Sequence, residues 1–139
     1  MNVEERKLIE LQEKGLSILV EKDGKIIFQS SKSMLRPLYE GLNNYAEEMQ
    51  GATVIDKIVG RAAAYLCILA KVGKVITPLA SETAKEVLDK HGIILYAADS
   101  IPYIINRDGT DMCPMEKMAS ESVSPEDFYE RLKSKVRQP

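Results

Sequence analysis

The chain has 139 residues, 45% of them hydrophobic and 29% charged, a balance that suits a single domain over residues 1–139 with a real core and excludes a disordered or collagen-like chain. With 19 Lys and Arg against 21 Asp and Glu, the formal net charge is -2, so nucleic acid is not an expected partner, because binding along phosphates needs a basic surface. No apolar run reaches the roughly eighteen residues of a membrane span, and the charged start Met1–Lys7 is unlike a signal or transit peptide; a cytoplasmic location, no membrane contact and no disulfide between Cys67 and Cys113 are expected.

In chain order, Val3, Leu8, Ile9 and Leu11 among charges predict a helix to Lys14, ended by Gly15. Leu16, Ile18 and Val20 then alternate with polar residues. Lys22-Asp23-Gly24-Lys25 follows, and Asp-Gly supplies the positive φ angles of a tight hairpin into Ile26-Ile27-Phe28. Ser33 is placed to cap a helix from Met34 to Met49, with Pro37 in its first turn and Gly41 and Asn43-Asn44 weakening it. Ala52 to Val72 is apolar nearly all round, which predicts a central buried helix with Thr53 as N-cap and Gly73 beyond its end. Lys74–Pro78 reads as a short strand, Ser81 as the cap of a helix from Glu82 to His91, and Ile93–Ala98 as a central strand buried on both faces and parallel to the preceding one. Tyr103–Asn106 reads as an edge strand, Arg107–Val123 as a polar stretch with a short helix, and Ser124-Pro125-Glu126-Asp127 as the start of a helix to about Val136. These elements predict an α/β fold, a three-layer α/β/α sandwich with a mixed sheet and an N-terminal antiparallel hairpin.

This order resembles the cytidine-deaminase-like fold. Asp56-Lys57-Ile58-Val59-Gly60-Arg61-Ala62-Ala63-Ala64, Asn106-Arg107 and Thr110-Asp111-Met112-Cys113-Pro114-Met115-Glu116 are similar to a small prokaryotic family, a domain of unknown function grouped with that superfamily. Zinc deaminases carry H-x-E at one helix start and P-C-x-x-C at the next. The corresponding starts here, Thr53–Lys57 and Ala80–Glu82, contain neither His nor Cys. The resemblance therefore implies the scaffold and a pocket without metal or other cofactor, and the chain is not expected to be a zinc-dependent deaminase.

Helix N-termini hold anions through unpaired N–H groups, so Thr53, Lys57, Arg61 and Ser81 are candidates to bind an anionic or nucleotide-like small molecule. Lys57 and Arg61 stand four residues apart, on one face of the expected helix, with Asp56 beside them to orient Arg61 or take a proton. Asn106, Arg107 and Thr110 join them as a loop beyond a strand end. Cys113, before Pro114, would be the N-cap of a short helix, where the dipole favours a thiolate nucleophile; Asp56 or Glu116 would handle protons, or Glu116 would bond back to the cap as a capping box. Each also has a structural reading: a solvated stripe for Asp56, Lys57 and Arg61, a turn for Asn106–Thr110, a cap for Cys113, core for Cys67 and a helix-end contact for His91. Three functions stay open: a small-molecule binding protein, a metal-independent enzyme using Cys113, and an interaction module associating near Met34–Met49, with a homo-oligomer among the expected partners.

Overall fold

The computed structural model describes residues 1–32, 34–105 and 112–137. Helix α1 (Val3–Glu13) is capped by Asn2, whose Oδ1 accepts from Glu5 N at 2.8 Å, and gives way to Gly15 in the left-handed region. The hairpin follows as expected, β1 (Ile18–Lys22) and β2 (Lys25–Ser30), turning through Asp23 and Gly24 with φ of 51° and 78°. The expected helix Met34–Met49 is two pieces, α2 (Arg36–Asn44) and α3 (Ala46–Met49), broken at Tyr45. Ser33, its expected cap, lies outside the described residues.

The largest correction concerns Ala52–Val72. It is a strand, β3 (Thr53–Asp56), a turn, and a shorter helix, α4 (Arg61–Ala70). Val54 and Ile55 are both fully buried, on opposite faces of the sheet. A strand buried on both faces shows the same unbroken apolar run as a buried helix, and β-branched Thr53-Val54-Ile55 tips the choice toward strand. Thr53 is therefore the first residue of a strand, paired with Glu21 and Lys74, and the N-cap of α4 is Gly60. At the other end Lys71, not Gly73, takes the left-handed turn, with φ of 58°.

Next come β4 (Lys74–Ser81), α5 (Glu82–Lys90), β5 (Ile94–Ile101), α6 (Pro114–Glu121) and α7 (Pro125–Arg137). Ser81 Oγ accepts from Ala84 N at 3.1 Å and Ser124 Oγ from Asp127 N at 3.0 Å, so both expected caps form. The sheet order is β2-β1-β3-β4-β5, with β1 antiparallel to its two neighbours and β3, β4 and β5 parallel. β5 thus lies at an edge, not in the centre, and its residues are half-buried or exposed. Tyr103–Asn106 forms no strand within the described residues; Ile105 makes a single bridge to Met112.

Three layers result. One face of the sheet (Leu19, Ile55, Ile76) packs with Leu8 and Leu11 of α1. The other (Ile18, Val20, Val54, Val75) meets the remaining helices through Leu38, Leu66, Leu88, Ala119 and Phe128. Between the C-terminal end of β3 and the start of α6 this second face leaves a cavity.

Candidate functional site

Parallel strands end at the same level, and the turns leaving them form the floor of any site there. β3 ends at Asp56, and the turn Lys57–Gly60 climbs to α4. Across from it, α6 begins at Cys113, the N-cap residue, with Pro114 in the first turn; Cys113 N donates to Ile104 O at 2.9 Å, and no side-chain cap bond forms. The space between has a volume of about 730 Å³, within the range of roughly 300–1,000 Å³ usual for metabolite pockets. Leu35, Ile58, Ile104 and Met115 supply apolar wall, and Asp56, Lys57, Cys113 and Glu116 supply the chemistry.

Glu116 is a buried acidic residue, 6% exposed. Its carboxylate accepts Arg61 N at 2.9 Å and Ala62 N at 3.1 Å, capping α4 from a helix 55 residues later in the chain. Burial raises its pKa, opposed first by these two backbone N–H groups and then by the Arg61 charge. Gly60 makes the contact sterically feasible: a Cβ there would overlap the carboxylate and lie 2.8 Å from Ile104 Cγ1. The expected capping box within α6 is therefore not made, because Glu116 serves another helix.

Asp56 stands half-buried on the α4 face of β3. Removal from water pushes its pKa up to about 7, against the opposing hydrogen bonds of Lys57 and Ile58 N–H. It is thus poised to exchange a proton near neutrality. Lys57 is exposed at the mouth of the cavity.

Other expected site residues go elsewhere. Thr53 is at the opposite end of β3 from Asp56, so it cannot share the cavity. Arg61 is the first residue of α4 and no longer shares a helix face with Lys57; neither its side chain nor Ser81 is a cavity wall among the described residues. Ser81 Oγ is spent on Ala84 N and on the Thr83 hydroxyl, 3.0 Å away. Asn106, Arg107 and Thr110 lie outside the described residues. His91 ends α5 with Nδ1 2.9 Å from Val87 O, a helix-end contact, and Cys67 is sealed in the core. Sequence reading did not include Ser17, Ser31, Leu35 and Ile104 in the site; they come from elements distant in the chain and carry no motif. Among the described residues, no group of three or more His, Cys, Asp or Glu is arranged to hold a metal ion, and no helix is long and apolar enough to cross a membrane.

The family model of a domain of unknown function, DUF1893, matches residues 7–136. The chain belongs to the DUF1893 family. A crystal structure of a DUF1893 family protein (TM1506) from Thermotoga maritima is similar, with 31% identity and a TM-score of 0.85 over 94% of this chain and 88% of that one. RibD from Acinetobacter baumannii shows 20% identity and a TM-score of 0.48, over 66% of this chain and 33% of that one, too slight a likeness to bear on the fold. No curated protein sequence matches. The resemblance to a small family of unknown function thus leads to DUF1893.

Proposed function

We propose that this DUF1893 protein binds a small, nucleotide-like metabolite in the cavity between β3 and α6. The observation that carries the reading is the cavity itself: about 730 Å³, walled by aliphatic side chains, with two carboxylates inside and one lysine at the mouth. Carboxylates accept hydrogen bonds, so the buried end of the ligand is a ring bearing N–H or amino donors, held at Asp56 and Glu116. Its anionic end lies outward, beside Lys57. The start of α4 is not the anion site, because Glu116 already satisfies Arg61 and Ala62 N–H. We read the scaffold as cytidine-deaminase-like on the β3–α4–β4–α5 order, although the starts of α4 and α5, Gly60–Arg61 and Ser81–Glu82, carry neither the His nor the Cys of the zinc enzymes.

Native mass spectrometry of the freshly purified protein, followed by thermal shift with nucleosides and nucleotides, tests this. A copurified or stabilising ligand is expected, with Asp56→Asn and Lys57→Ala each removing most of the stabilisation and Arg61→Ala leaving it in place. A ligand whose effect ignores Asp56 and Lys57 would overturn the assignment.

A second reading rests on Cys113 sharing that cavity with Asp56 and Glu116. The thiol would add to the carbon of a C=N or C=O bond of the bound molecule: the C–S bond forms as the π pair moves onto that nitrogen or oxygen, and the proton that Asp56 takes from the thiol passes to the same atom. Cys113→Ser would then abolish turnover and leave binding intact; turnover unaffected by the substitution would remove this reading.

A further inference from the structure

The two carboxyl groups of the cavity differ in how their charge is met. Glu116 accepts Arg61 N and Ala62 N, and the Arg61 charge lies close enough to oppose the effect of its burial. Asp56 has no cation in that role. Only the peptide N–H groups of Lys57 and Ile58 oppose its removal from water, and among the described residues no ion pair reaches it. The side chains that face it from neighbouring elements bring no positive charge. Ile18 stands opposite on β1, and Cys67 of α4, near enough to feel the Asp56 charge, is a neutral thiol. The Ser17 hydroxyl is spent on Ser30 O and Lys32 O, and Lys57 is exposed at the mouth.

A charge taken out of water needs a counter-charge, or it is lost to protonation. A ligand with neutral N–H donors would fill the cavity and leave the Asp56 charge uncompensated among aliphatic walls. If Asp56 took up a proton instead, one of its oxygens would become a donor and face the ligand's own donors. A cationic ligand meets neither difficulty. It supplies the missing charge and keeps the carboxylate an acceptor, and charge-assisted hydrogen bonds are roughly twice as strong as neutral ones. Shape narrows the choice further. A carboxylate has about four acceptor positions, of which Lys57 and Ile58 N–H occupy two. The rest suit the two parallel N–H bonds of a planar amidinium, and the Leu35, Ile104 and Met115 walls suit a flat ring.

We infer that the cavity selects a cation: the buried end of its ligand is a flat ring carrying an amidinium unit, paired with Asp56. This rests on the cavity being the binding site proposed above. The test titrates the full chain, at slightly alkaline pH, with para-amidinobenzoate and para-carbamoylbenzoate. These probes have nearly one shape, share a carboxylate for Lys57 and differ in the charge of the end meant for Asp56. The amidine is expected to bind at least about tenfold more tightly than the amide. Asp56→Asn should bring the two within about threefold of each other, whereas Lys57→Ala should weaken both alike and keep the preference; circular dichroism checks that each variant is folded. An amidine that binds no better than the amide, or a preference that survives Asp56→Asn, would overturn the inference. If nucleosides or nucleotides stabilise the protein in that case, the cavity remains the binding site and only the cation is lost; if they fail as well, both fall.

Discussion

Glu116 and Gly60 are packed so closely that no side chain fits at position 60 while the carboxylate keeps its two hydrogen bonds to α4. Gly60→Ala must push the carboxylate away from Arg61 and Ala62 N–H, and leaving buried donors unmade costs about 1–3 kcal/mol. Glu116→Ala loses the same bonds directly. Because both substitutions break one contact, their effects should not add: the double variant should be less destabilised than the sum by about 1 kcal/mol or more. Urea unfolding of the four proteins measures this cycle, and strict additivity would contradict the geometry.

Asp56 gives the stability a pH dependence of defined sign. Its folded pKa is raised to about 7 from 3.8, so the folded chain holds a proton that the unfolded chain releases. Its contribution is complete below about pH 4 and is lost as pH rises through 7. Asp56→Asn stays neutral at all pH, so it should gain on the wild type between pH 5 and 8, by on the order of 1–2 kcal/mol for a half-buried group. Parallel denaturation curves at the two pH values check it; a constant difference between the proteins would show that Asp56 titrates normally.

The two cysteines should separate cleanly on labelling. Cys67 is 0% exposed within α4, and burial together with the nearby Asp56 charge raises its thiol far above the ordinary range. Cys113 is partly exposed on the cavity wall. A maleimide should therefore modify Cys113 alone in the folded protein and reach Cys67 only in denaturant, as peptide mass mapping would read. Ligand in the cavity should slow the Cys113 reaction.

Gly41 sets helix propensity against packing. Alanine in α2 would gain about 1 kcal/mol of helix propensity, yet a Cβ at position 41 would overlap the Phe28 ring, which is stacked on Tyr45 at 5.5 Å. Overpacking of this kind costs about 1–3 kcal/mol, so Gly41→Ala should lower the melting temperature, and a rise would show that the ring is free to move.

What the sequence determined by itself was local. The Asp23-Gly24 hairpin, the Ser81 and Ser124 caps, Pro114 in the first turn of α6 and Cys113 as its cap depend on residues a few positions apart, whose φ preferences and hydrogen bonds are complete within one turn. The tertiary structure decided everything that depends on partners. Thr53–Asp56 became a strand because it is sandwiched on both faces, a condition that leaves the same apolar run as a buried helix. Ile94–Ile101 became an edge because strand order is set by how the whole sheet assembles. The candidate site followed the same division: Asp56, Lys57, Cys113 and Glu116 were legible as chemistry, whereas the bond from Glu116 to α4, which occupies the N–H groups at the start of that helix, spans 55 residues and exists only once α6 has docked.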